Sequence, residues 1–205
     1  MKFKNVAILS ILSVTLFAGC SDKEKIDQKV VAKTVQNNEK VVQTPAKAHE
    51  VPKFNLKTST GKIIEVTADV KNGWKFKGYE NKVILLDFFA TWCPPCKAEI
   101  PHLSSIRSKL KKDFEIIGLD IGQRDGSITS DAKLKQFIED FKIKYPVTSG
   151  VANSSLFRAV SSLNPGGSIP FMILFNKKGE FIQYYIGMKP EEMLQQDINT
   201  AIKMK

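Results

Sequence analysis

Histidine is almost absent from this chain, with His49 and His102 the only two among 205 residues. Cysteine is nearly as scarce: Cys20, Cys93 and Cys96 complete the set. A structural zinc site needs four closely spaced thiolate or imidazole ligands. One Cys-x-x-Cys, with no second pair and no suitably spaced histidines, excludes it, and nothing in the pattern calls for a cofactor. Long apolar runs are missing too. The run over residues 6–17 falls short of the ~20 residues that a membrane span requires. The lysines are scattered and carry no interleaved aromatics, so the net charge of +10 does not describe a nucleic-acid surface. It describes a solvated surface with some attraction for anionic lipid or acidic partners. No internal repeat is present. A hydrophobic content of 42% and a charged content of 25% are those of an ordinary globular domain.

The N-terminus reads as an export signal. Lys2 and Lys4 precede the apolar run, and small residues, Ala18 and Gly19, stand directly before Cys20. Leu16-Phe17-Ala18-Gly19-Cys20 resembles a bacterial lipoprotein box, with phenylalanine where leucine is more usual. The resemblance implies that residues 1–19 are a signal peptide and that Cys20 is the lipidated first residue of the mature chain. An odd cysteine in an exported protein otherwise wants a partner; lipidation of Cys20 leaves Cys93 and Cys96 as a pair. Residues 21–50 have no aromatics and no sustained apolar periodicity, and read as a flexible tether with an r.m.s. reach of roughly 30 Å. The globular domain is expected over residues 51–205.

Within it, residues 54–56 and 63–66 flank a turn-rich stretch and read as a hairpin. Residues 67–79, with Asn72-Gly73 and Trp74, carry no clear element. Residues 82–89 read as a central strand, 94–112 as a helix containing Pro101, and 114–120 as a second buried strand. A polar loop over 122–130 leads to Asp131, which is expected to cap a helix through Lys142. A short strand over 145–148 and a helix over 154–163 follow. Residues 171–175 and 181–186 flank Asn176-Lys177-Lys178-Gly179 as an antiparallel hairpin, and Pro190 opens a closing helix to about Met204. Strands alternating with helices imply an α/β fold with a central mixed sheet flanked by helices and an N-terminal β-hairpin extension.

The densest signal is Trp92-Cys93-Pro94-Pro95-Cys96 at the junction of the central strand and the first helix. A helix N-terminus carries unpaired N–H groups and partial positive charge, and so stabilises a thiolate. In such motifs the attacking thiol's pKa falls to roughly 3.5–7.5.

Residues 88–101, Phe-Phe-Ala-Thr-Trp-Cys-Pro-Pro-Cys-Lys-Ala-Glu-Ile-Pro, and residues 167–175, Gly-Ser-Ile-Pro-Phe-Met-Ile-Leu-Phe, resemble the thioredoxin-fold, TlpA-like, membrane-anchored thiol-disulfide oxidoreductases. The resemblance covers about residues 52–203. It implies that Cys93 is the exposed nucleophile and Cys96 the buried resolving thiol, and that Pro170 is cis and faces them. Ile169 would offer its backbone to an extended substrate chain by strand addition. Asp87, six residues before Cys93, would be the proton acceptor for Cys96; the alternative is a structural aspartate. The lysine that pairs with this aspartate in thioredoxins would fall near Gly118 and is absent. Glu99, one turn beyond Cys96, is a candidate proton shuttle or else a solvated helix carboxylate. Trp92 would cover the site or merely pack beside it. His102 and His49 read as surface residues.

The implied activity is reduction of protein disulfides in the cell envelope, on the periplasmic side. The Cys-x-x-Cys-His of an apocytochrome c is one such substrate, and a membrane-embedded thiol carrier of the DsbD/CcdA type is the electron donor. A disulfide oxidase or isomerase is the alternative within the same chemistry. A redox-inert chaperone is disfavoured by the intact cysteine pair, and copper delivery by the lack of a Met or His cluster beside Cys96.

Overall fold

All seven residues of Val83–Phe89 are buried, as are all seven of Phe114–Asp120. Strands covered on both faces read as continuous apolar runs, and these two lie side by side in parallel, Asp87 opposite Gly118. They form the middle of an eight-stranded mixed sheet in the computed structural model, which describes residues 51–204. Residues 1–50, where the sequence reading puts a signal peptide, the lipidated Cys20 and a tether that includes His49, lie outside the described residues.

The elements run β1 (Lys53–Thr58), β2 (Ile63–Thr67), β3 (Lys75–Phe76), β4 (Val83–Phe89), α1 (Pro94–Leu110), β5 (Phe114–Asp120), α2 (Asp131–Asp140), β6 (Val147–Ser149), α3 (Val151–Ala159), a 3-10 turn (Ser161–Leu163), β7 (Phe171–Phe175), β8 (Phe181–Ile186) and α4 (Glu191–Lys203). The sheet order is β3-β2-β1-β6-β5-β4-β7-β8. The N-terminal hairpin is therefore no separate appendage: β1 joins the sheet by antiparallel pairing with β6. Side chains alternate across β4. Val83, Leu85 and Phe89 enter a core built with α1, α2 and α4. Ile84, Leu86 and Phe88 enter a second core shared with Leu156 of α3 and Phe76 of β3. Asp87 belongs by register to the first of these faces, beneath α1.

Several boundaries differ from the sequence reading. Ser130, not Asp131, caps α2: it is extended (φ −62, ψ 149) and its hydroxyl accepts from the Lys133 N–H at 3.3 Å. Asp131 instead occupies the first turn, where the helix dipole favours a carboxylate. β6 begins at Val147 rather than Tyr145, because Pro146 has no N–H to give a ladder; its carbonyl accepts from Gly118 N at 2.8 Å. α3 starts earlier, at Val151, behind Gly150 with φ 120. The unassigned stretch supplies the two-residue β3. Trp74 N there donates to the Gly179 carbonyl at 2.7 Å, and its ring lies 4.9 Å from Phe175. This docking requires glycine at 179, since a Cβ would fall 1.8 Å from the Trp74 carbonyl oxygen. At the far end of α1, Arg107 clasps Glu115 of β5 through two 2.9 Å hydrogen bonds.

Candidate active site

β4 ends at Phe89, and a tight turn closed by Cys93 N donating to Ala90 O at 3.0 Å delivers Cys93 to the start of α1. Cys93 is the N-cap (φ −86, ψ 110), Pro94 and Pro95 fill the first helical positions, and Cys96 lies one turn in. Proline suits those positions because their N–H groups have no intrahelical partner. The two cysteines form a disulfide with Cα atoms 5.3 Å apart. The Cys96 N–H donates to Cys93 Sγ at 3.3 Å. That contact, with the helix dipole, favours negative charge on Cys93 once the bond is reduced.

The Ile169–Pro170 peptide bond is cis, and the Ile169 carbonyl oxygen lies 3.9 Å from Cys93 Sγ. Asn164 braces this loop from both sides, donating to Ser168 O at 2.8 Å and accepting from Ser168 N at 3.2 Å. The loop thus meets the redox pair although 76 residues separate Cys93 from Ile169. Cys93 was expected to be exposed. In the disulfide form both cysteines are only 2% exposed, with the Ile169 loop lying against the Cys93 sulfur.

Trp92 is half-buried. Its indole donates to Gly122 O at 2.9 Å, and the Arg124 guanidinium sits 4.1 Å above its ring. Gln123 of the same loop donates to Thr91 Oγ1 at 3.3 Å and accepts from Lys133 Nζ at 2.6 Å. Trp92 therefore joins the loop over residues 122–130 to the turn that carries Cys93. Asp120, at the end of β5 beside this loop, is 1% exposed. Burial raises its pKa, opposed by Thr129 and by the backbone N–H groups of Gly122 and Thr91.

Behind the disulfide lie two buried carboxyl groups. Asp87 is 2% exposed, and its Oδ1 has no hydrogen-bond partner. Burial, and then the charge of Glu99, push its pKa well above the usual range. Glu99 is also 2% exposed, which rules out the solvated carboxylate considered from sequence. α1 and the loop before α4 enclose it. Its Oε1 accepts from Lys189 N at 3.1 Å, while Oε2 is unpartnered. Burial raises its pKa to about 7, against the opposing pull of the Lys189 N–H and of the His102 and Lys189 charges. Glu99 borders a surface cavity of about 400 Å³ shared with His102, Met188 and Lys189, so it stands between the interior and solvent. His102 itself is exposed and ties α1 to α4 through Glu191 at 3.0 Å.

Tyr145 was not singled out by sequence, yet it is buried in this core with an unpartnered hydroxyl. No spacing rule marks it, since it meets the other groups only through the pairing of β5 with β6. Among the described residues, no group of three or more His, Cys, Asp or Glu side chains comes together that could hold a metal. No described helix is long and apolar enough to cross a membrane.

Comparison with known proteins agrees with this geometry. The Redoxin family profile matches residues 46–202. The thiol-disulfide oxidoreductase ResA of Bacillus thuringiensis (strain Al Hakam) is 28% identical over 147 residues, covering 71% of this chain and 73% of that protein. Among solved structures, the thioredoxin-family thiol:disulfide interchange protein of Chlorobium tepidum TLS superimposes with a TM-score of 0.58 at 22% identity, over 77% of this chain and 98% of that one. The exposed lipoprotein thioredoxin of Streptococcus pneumoniae strain TIGR4 gives 0.54 at 19% identity, over 73% of this chain and 99% of that one. This chain belongs to the redoxin family, as a TlpA-like thiol-disulfide oxidoreductase with a thioredoxin-like fold.

Proposed function

We propose that this protein is an exported, membrane-tethered dithiol reductase of protein disulfides on the periplasmic side of the cell envelope. The observation that carries the reading is the Cys93–Cys96 pair at a helix N-terminus, with the backbone carbonyl of Ile169, next to the cis proline, against the Cys93 sulfur. In the reduced protein, the Cys93 thiolate attacks a substrate disulfide and displaces one substrate thiolate, which takes up a proton. Cys96 gives its proton to Asp87 and attacks Cys93 Sγ. The mixed disulfide breaks, the second substrate sulfur leaves as thiolate and is protonated, and the Cys93–Cys96 bond forms. Two electrons pass from the protein to the substrate. Glu99, with a pKa of about 7 and a position at the cavity wall, relays the proton between Asp87 and solvent. Ile169 and the cis Pro170 hold the substrate chain extended by strand addition, and Trp92 closes the other side.

Cys20 is the lipid-bearing residue, residues 1–19 the signal peptide and residues 20–50 the tether. The two lysines, the apolar run and the small residues Ala18 and Gly19 directly before Cys20 support this. Tethering raises the effective concentration near membrane-bound partners. Those partners are a DsbD/CcdA-type thiol carrier as electron donor and apocytochrome c as a substrate class.

The test offers the reduced, full-length mature protein an oxidised Cys-x-x-Cys-His peptide. The reading expects stoichiometric reduction of the peptide and appearance of the Cys93–Cys96 disulfide. No reduction, together with rapid oxidation of a reduced unfolded protein by the disulfide form, would overturn it.

A further inference from the structure

Asp87 faces a position that offers it no side chain: across β4 and β5 it stands opposite Gly118. Tyr145 fills the space instead. Its ring comes within 3.1 Å of where a Cβ on Gly118 would sit, with Phe89 at 3.3 Å and Val147 at 3.5 Å. Tyr145 is 6% exposed and shares a core cluster with Cys96 and Phe89. Its hydroxyl has no hydrogen-bond partner, and neither does Asp87 Oδ1 or Glu99 Oε2. The three groups act on one another electrostatically: Asp87 and Glu99 on Tyr145, and Glu99 on Asp87. Three buried polar atoms, from β4, from α1 and from the segment before β6, are thus gathered behind the redox pair, each short of a partner. Buried polar groups are ordinarily paired, so a group of orphans marks a shared proton or an enclosed water. Phenylalanine would pack the same ring without an unsatisfied hydroxyl, so the hydroxyl needs a reason.

We propose that Tyr145 is a positioning residue for the proton path of Cys96: its hydroxyl donates to Asp87 through one enclosed water and keeps that carboxylate able to accept the proton. It does from β6's leading segment what a lysine at position 118 would do. The proposal rests on the assignment of Cys96 as the resolving thiol. Burial, and then the charges of Asp87 and Glu99, push the Tyr145 pKa well up, so the phenol stays protonated and serves only as a donor. Among the described residues no cation acts on Asp87; His102 and Lys189 act on Glu99. Removing the donor raises the Asp87 pKa further, so at a given pH less of the residue is ionised and able to take the Cys96 proton. In the step itself the Cys96 S–H bond breaks, the proton moves to an Asp87 oxygen, and the Cys96 electron pair forms the bond to Cys93 Sγ as the substrate thiolate departs.

The test reacts the reduced protein with an aromatic disulfide whose thiolate is coloured. Attack by Cys93 releases the first thiolate and attack by Cys96 the second. Release of two thiolates, with the first-phase adduct mapped to Cys93 by mass spectrometry, establishes the underlying assignment; a first-phase adduct on Cys96 overturns that assignment and the proposal together. With two phases present, Tyr145→Phe is expected to leave the first phase within about twofold. It should slow the second about tenfold near pH 7, the loss of one hydrogen bond to a charged group. Its pH midpoint should move upward, and the two proteins should converge in alkali where Cys96 ionises unaided. Its Tm should stay close to that of wild type, because the ring packs as before. Gly118→Ala, which crowds the same ring, should move the midpoint the same way. Second-phase pH profiles that superimpose on wild type in both variants would refute the role of Tyr145.

Discussion

Glu99→Gln separates a buried, raised-pKa acid from a surface one. The folded-state pKa of Glu99 is about 7 against an ordinary 4.5. Each unit is worth about 1.4 kcal/mol, so the ionised folded form stands about 3 kcal/mol above what a solvated glutamate would cost. The direction follows from linkage: below pH ~4 both states bind the proton and the burial penalty is silent. As pH climbs from ~4.5 toward ~7 the unfolded chain releases the proton while the folded chain retains it, so stability falls, and above ~7 it levels off. Glutamine cannot ionise. It keeps the acceptor for Lys189 N and leaves an unpaired amide N–H₂ in place of Oε2, a roughly pH-independent cost of about 1–3 kcal/mol. The difference between variant and wild type should therefore move in favour of the variant by about 3 kcal/mol between pH 4 and pH 8. Urea unfolding of the disulfide form across that range measures it. Parallel stability curves would refute the reasoning, because they would mean that Glu99 titrates as a solvated group.

Asp87→Asn should leave the fold intact and slow the Cys96 step about a hundredfold near neutral pH, the low end for loss of a general base; an unchanged rate from pH 6 to 9 would reduce Asp87 to a structural residue. Cys93 should be alkylated before Cys96 in the reduced protein, and Cys96→Ala should hold substrates as mixed disulfides through Cys93, both read by peptide mass mapping. Preferential labelling of Cys96 would reverse the roles. Cys20→Ala should abolish lipidation and release the protein from membranes or leave it unprocessed, whereas a wild-type N-terminus without lipid by mass spectrometry would refute the anchor.

The elements that carry the site were legible because their signals are local. Two buried strands announce themselves as apolar runs, and a Cys-x-x-Cys opening a helix follows from the caps and prolines around it. Ile169-Pro170 was legible through its resemblance to a known pattern. What the chain concealed depends on distant packing. Glu99 resembles any helix carboxylate until the loop at Lys189 folds over it. Tyr145 gains its neighbours only because Gly118 leaves a gap in the adjacent strand. The two-residue β3 exists because Trp74 docks on Gly179 more than a hundred positions away. Cys93 looked exposed because the sequence does not disclose how closely the Ile169 carbonyl lies over its sulfur.

The direction of electron flow is the central claim, and the reduction potential of the Cys93–Cys96 disulfide tests it most directly. A strongly depressed Cys93 pKa would stabilise the dithiol and make the pair oxidising. The helix dipole supplies only about 0.3–1 kcal/mol of that effect, and at about 30 mV per 1.4 kcal/mol this is roughly 20 mV. It cannot span the ~150 mV between thioredoxin, near −270 mV, and the strong oxidases, near −120 mV. The buried carboxyl groups Asp87 and Glu99 add no positive charge that would deepen it. Equilibration of the full-length protein in glutathione or dithiothreitol buffers, read by thiol alkylation, should give a potential below about −200 mV, on the reducing side of that range. A value near −120 mV would contradict the reductase account.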